Sequence, residues 1–170
     1  MKNFPVAVAV AFALACGGGG KSVKPGGGGD DTPQWVSQGT GAFAGEAGKK
    51  LQGVGVASAK DVQARRTSAD GKASTQLAAG IDALGAALAK LSESTKDNSG
   101  DEIKAIAQKA SAAAAHVHDH YVTPDGAESA LDQVDLGAFK QALQSVDGDD
   151  KLKHEMSANA EKAFDSLMRQ

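Results

Sequence analysis

Cysteine occurs once in this chain, at position 16. A single thiol forms no internal disulfide, and a thiolate metal cage needs several. Aromatic residues make up only 4% of the sequence, with one Trp and one Tyr. The core must therefore be built from Ala, Val, Leu and Ile, and packing alone must stabilise it. Basic residues are outnumbered, 18 Lys and Arg against 21 Asp and Glu, for a net charge of −3. No strong basic field exists to draw a polyanion, so nucleic acid is not an expected partner. The apolar run at residues 6–14 is far shorter than the ~20 residues a bilayer crossing needs.

That short run has a context. Lys2 gives a positive start, residues 6–14 are apolar, and Ala13-Leu14-Ala15 lead into Cys16 and Gly17. This order predicts a secretory signal peptide over residues 1–15 that ends in a lipobox, with Cys16 as the acylated first residue of the mature chain. Ala13 stands where a lipobox usually has Leu. Each buried CH₂ contributes about 0.8 kcal/mol, and two or more acyl chains hold a protein stably on a membrane. The expected location is the outer membrane, since Gly17 is not the aspartate that commonly retains lipoproteins on the inner one. Membrane lipid, reached through acylated Cys16, and envelope proteins are the expected partners.

Residues 16–32 read as the lipidated Cys plus a glycine-rich tether, with tetrads at 17–20 and 26–29 around Lys21-Ser22-Val23-Lys24-Pro25. Such a segment buries too little apolar surface to offset its conformational entropy, and its span is about 20 Å. Lys21-Ser22 after Gly20 matches the end of a phosphate-binding loop, but no strand precedes it.

Residues 33–170 are expected to form one small α+β domain. Residues 51–57 alternate as a strand, with Gly53 and Gly55 on one face where another backbone or a helix approaches closely. Ser58, as cap, and Asp61 open a long helix with Val62, Arg65, Ala69, Ala73, Leu77, Ile81, Leu84, Leu88 and Leu91 on its inner stripe. After the break at residues 97–100, Ser99 and Glu102 suggest a capping box for a helix with Ile103, Ile106 and Ala110 inward. His116 to Val122 reads as a strand, Thr123-Pro124-Asp125-Gly126 as a tight turn, and residues 127–134 as the returning strand. Asp135 heads a helix with Leu136, Phe139, Leu143 and Val146 on one face. A last helix carries Leu152, Met156, Ala160, Ala163 and Leu167. The order β-α-α-β-β-α-α predicts a small antiparallel sheet, one strand plus a β-hairpin, packed with about four helices.

One cluster has the residue types for chemistry. His116, His118 and His120 alternate along the predicted strand, where three imidazoles would share a face about 6.6 Å apart and adjacent pairs could hold a metal. Asp119 would point the other way unless a bulge intervened. The competing reading is a solvated hairpin face. Arg65-Arg66 reads as a helix-surface pair with one arginine folded over the core. Asp147, Asp149 and Asp150 lack the spacing of a calcium loop and read as an interhelix turn. Trp35 is expected to pack against the first strand. No nucleophile elbow or supporting triad is legible, so no catalytic residue is assigned, no cofactor is expected and the chain is read as a non-enzyme. The alternative function is a periplasmic metal-binding module using His116, His118 and His120.

Taken in order, several of these segments resemble the Lpp-twenty family of bacterial lipoproteins. Pro33-Gln34-Trp35-Val36, Gly39, Gly41-Ala42-Phe43 and Gly53-Val54-Gly55 are similar to its opening. Arg65-Arg66-Thr67 with Ala69-Asp70 and Ala73 resembles its long helix, and Asp119-His120-Tyr121 with Asp125-Gly126 its histidine strand and turn. Asp135-Leu136, Phe139, Asn159-Ala160 and Ala163-Phe164-Asp165 resemble its closing helices. The chain departs from the family at Gly71, at Ser129, Asp132 and Gln133, where the family strand has tyrosine, alanine and arginine, and in carrying His116 and His118. The resemblance implies a surface lipoprotein without assigned catalysis, working in envelope or flagellar-base assembly.

Overall fold

Leu51 is buried in β2 (Gly48–Ala57), the strand on which the rest of the domain is assembled. In this computed structural model the folded unit runs from Asp31 to Gln170. The structure describes residues 32–45, 48–92 and 99–169, the side chains of 117 and 118 excepted. Cys16, the tether and the break at 97–98 lie outside the described residues.

The fold is α+β, with a four-stranded antiparallel sheet in the order β1-β2-β4-β3. A short helix α1 (Gln34–Gln38) and an edge strand β1 (Gly41–Gly45) precede β2. The 30-residue helix α2 (Val62–Leu91) and α3 (Gly100–Ala114) follow. Then come β3 (His116–Val122), β4 (Glu128–Asp135), α4 (Leu136–Ser145) and α5 (Asp150–Leu167). The sheet thus has one more strand than expected, and a fifth helix. Gly41-Ala42-Phe43-Ala44-Gly45 has neither alternation nor β-branched residues, so its strand character comes from pairing with β2 rather than from propensity.

The expected close approach at Gly53 and Gly55 is present. A Cβ on Gly53 would overlap the Ala73 carbonyl and the Leu77 amide, and one on Gly55 the Ala69 carbonyl and the Ala73 amide. Only glycine lets α2 lie this near the strand. Ala69 and Ala73 complete that contact with Ala57 and Ala130, all buried. Farther along, Leu77, Ile81, Leu84 and Leu88 join a larger core with Leu51, Ile103, Ile106, Val134, Phe139, Leu143, Met156 and Phe164. Two ends of the predicted stripe escape burial. Val62 is 62% exposed and Leu91 37%, because the sheet stops short of the first and α5 leaves a groove beside the second.

Capping is only partly as expected. Asp61, not Ser58, is the N-cap of α2 and accepts from the Ala64 amide at 2.7 Å. Ser99 has helical dihedrals and makes no side-chain capping bond, so the capping box with Glu102 does not form. Asp135 holds the N-cap position of α4 without a side-chain capping bond. Asp149, in the turn between α4 and α5, accepts from the Leu152 amide at 2.9 Å. Lys49 of β2 meets Asp165 at 2.6 Å and Glu161 at 2.9 Å on α5, and those two carboxylates hold its ammonium above the ordinary lysine value.

Candidate functional site

The β3–β4 hairpin forms as expected. Gly126 takes φ +85°, and its amide donates to the Thr123 carbonyl at 2.8 Å. Glycine occupies that left-handed region without strain. Directly opposed residues in an antiparallel pair share a face, so the register assigns sides. Asp132, Ala130 and Glu128 of β4 oppose Gly53, Gly55 and Ala57 and therefore face α2. His120 opposes Ala130 and stands with them, whereas His116 opposes Gln133 and stands on the other face.

A bulge causes this split. The register shifts between Val117 and Asp119, so the two-residue alternation is broken at position 118 and the histidines are not aligned. His118's side chain lies outside the described residues. The expectation of three imidazoles on one face is therefore corrected: His116 and His120 point apart, and Asp119 stands on the face of His116. The His116 Nδ1 lies 3.3 Å from the Ala114 carbonyl oxygen. Among the described residues no group of three His, Cys, Asp or Glu is arranged to hold a metal ion.

His120 instead sits in a charged cluster that joins the hairpin to the start of α2. Its Nδ1 is 3.1 Å from Glu128 Oε1 and its Nε2 is 3.3 Å from Asp70 Oδ1. Glu128 Oε2 in turn accepts from Arg65 Nε at 3.3 Å, and Arg65 also donates to the Ala59 carbonyl at 3.3 Å. The Glu128 side chain is only 5% exposed, and the Arg65 guanidinium is the cation that offsets the cost of burying a carboxylate there. Arg65 folds inward as expected of one member of its pair, while Arg66 stays exposed. One turn on, Ser74 donates to Asp132 Oδ2 at 2.8 Å. That hydroxyl is bonded to a carboxylate rather than to an imidazole, so no Ser–His pair is set up for nucleophilic attack. The cluster joins α2, β3 and β4, and within it Asp70 Oδ1, His120 Nδ1 and Asp132 Oδ1 are buried without a hydrogen bond. Residue spacing made Arg65 and His120 visible as candidates but carried no signal that Glu128 would join them.

The other face of the sheet is crossed by residues 32–40. Trp35 is buried, and its Nε1 donates to Asp119 Oδ2 of β3 at 3.2 Å. The tryptophan's ring nitrogen thus reaches the far strand β3. Thr32 Oγ1 lies 3.3 Å from the Tyr121 hydroxyl. Gln52 donates to the Gly39 carbonyl at 2.6 Å, and the Val54 amide donates to Thr40 Oγ1 at 2.9 Å. Beneath this strap Leu131, Gln52 and Gln133 are buried.

Away from both sites, α2 and α5 flank an open groove of about 940 Å³, with Ala83, Ala87 and Leu91 on its floor and Lys90, Lys162 and Arg169 around it. No helix among the described residues is long and apolar enough to cross a membrane. No family model, curated protein or solved structure matches this chain.

Proposed function

We propose that this chain is a lipid-anchored bacterial lipoprotein of the outer membrane, acylated at Cys16, whose folded domain serves envelope structure or protein–protein assembly without catalysis, as in the Lpp-twenty family it resembles. The observation that carries the reading is the sequence order of Lys2, the apolar residues 6–14, Ala15, Cys16 and a glycine-rich segment. A signal peptide, a lipidated cysteine and a spacer require that order. Further support comes from the strap at residues 32–40. Any pull on a tether reaches the domain at residue 32, where hydrogen bonds from Trp35 and Gln52 spread it over β3 and β2.

Fractionation and detergent partitioning of the wild type against Cys16→Ser test the proposal. The wild type should partition with the membrane and incorporate labelled fatty acid, and Cys16→Ser should do neither. Equal partitioning of the two, with no label in the wild type, would remove the anchor. The metal-binding alternative called for His116, His118 and His120 on one face, whereas the register shift between Val117 and Asp119 sets His116 and His120 on opposite faces.

A further inference from the structure

The two edges of the sheet are β1 and β3, and they are built differently. β3 is interrupted by its bulge and carries Asp119 beside its histidines, devices that discourage a further strand from pairing. β1 has none of them. Its register with β2 runs unbroken from Gly41↔Gln52 to Gly45↔Gly48, and it contains no charge and no proline. Among the described residues β2 is its only sheet neighbour. Ala44 and Gly45 are exposed, and Phe43 is half-buried.

The strand also reads the same in both directions: Gly41-Ala42-Phe43-Ala44-Gly45. In an antiparallel pair, alternate residues turn their N–H and C=O groups outward from the strand already bonded. Whether the outward set here is Ala42 and Ala44 or Gly41, Phe43 and Gly45, it is symmetric about Phe43. We infer that a second copy of this chain pairs with the outer edge of β1, antiparallel and centred on Phe43, so that two four-stranded sheets become one. A two-fold axis through Phe43 puts the same patch on both partners, as a closed dimer requires.

Side-chain placement agrees with that axis. Phe43 opposes Lys50, which is next to the inward-facing Leu51, so its ring stands on the face away from α2. The ring covers Gly41 of its own strand, at 3.3 Å from where a Cβ would be. Across the axis the two Phe43 Cβ atoms would lie about 4.5–5.5 Å apart, and the rings would pack side by side. The edge contributes about four backbone hydrogen bonds and two aromatic rings, which makes a weak contact of less than standard size.

The test uses the full chain carrying Cys16→Ser, so that an introduced cysteine is its one thiol. Phe43→Cys should form a disulfide-linked dimer under mild oxidation, since directly opposed Cα atoms, about 4.5–5.5 Å apart in an antiparallel pair, fall in the range a disulfide spans. Val122→Cys, on the opposite edge and 49% exposed, should stay monomeric. By sedimentation equilibrium at about 100 µM the Cys16→Ser chain should contain dimer, and Phe43→Lys, which sets like charges directly opposite, should not. A chain that stays monomeric and fails to cross-link through Phe43→Cys would overturn the inference, as would equal cross-linking at position 122. Dimer that persists in a folded Phe43→Lys variant would place the contact elsewhere. If Phe43→Lys does not fold, the contrast between the two cysteines still decides.

Discussion

One helix, α2, meets the rest of the domain in two ways. Over its first half, Ala69 and Ala73 lie on Gly53 and Gly55 with backbone nearly touching backbone. Over its second half, Leu77, Leu84 and Leu88 stand among leucines, isoleucines and phenylalanines from β2, α3, α4 and α5. The alanine end gains little from transfer of side chains out of water, because it has few side-chain atoms to transfer. Its stability rests on closeness of approach. The leucine end gains from buried area and tolerates adjustment, since long side chains can shift where a carbonyl cannot. The two ends should therefore fail under opposite substitutions, the first when atoms are added and the second when they are removed.

The largest effect is expected at the alanine end. Gly53→Val places a branched side chain where the Ala73 carbonyl and Leu77 amide already sit, and no rotamer avoids backbone. The cost should exceed about 4 kcal/mol, the range reached when overpacking cannot relax. Denaturant unfolding should show no cooperative transition, or one displaced to very low denaturant. A loss below about 1 kcal/mol would mean that α2 can lift off β2 without harm, and the contrast between the ends would collapse.

At the leucine end, Leu84 is fully buried at the centre of the stripe. Leu84→Ala should cost about 2–5 kcal/mol, the spread depending on how far Ile106, Phe164 and their neighbours close the cavity. The unfolding transition should stay cooperative, with its midpoint lowered and its slope unchanged. A change under half of about 1 kcal/mol would show that this part of α2 carries little of the core.

How much of this was legible in the sequence follows the same division. Leucines and isoleucines at spacings of three and four announce a buried helix face, because that periodicity has no other common cause. The paired glycines of β2 were legible too, since two glycines on one face of a strand signal close approach. Leu91 was misread because periodicity cannot tell where the neighbouring helix ends. β1 left no pattern at all, being held by partner rather than by propensity. The candidate site was the least legible part. A bulge adds one residue without changing composition, so nothing in His-Val-His-Asp-His reveals that His116 and His120 face apart. Glu128, buried beside Arg65 and His120 from two other elements, could be recognised only after those elements had been brought together.

The smallest expected effect concerns acid, and it should fall on one end only. The hairpin turn lies beside the alanine end, where Glu128 opposes Ala57 and Ala130 opposes Gly55. In that turn the Thr123 hydroxyl, and after it the Ala127 amide, donate to the Asp125 carboxylate and hold its pKa below the ordinary value of 3.8. A carboxyl group with a depressed folded-state pKa stabilises the fold above its unfolded value, and that contribution is lost as pH falls through the folded value. Below pH ~4 the turn should therefore loosen first, while the leucine end keeps its protection. Amide exchange between pH 5 and 3, corrected for its intrinsic rate, should speed up several-fold at residues 127–130 and stay unchanged at residues 81–88. Asp125→Asn should abolish the pH dependence at the turn, since an amide does not titrate in this range. Acid loosening that appears equally at both ends, or that survives Asp125→Asn, would assign it to the other carboxylates and leave the alanine end no more acid-sensitive than the leucine end.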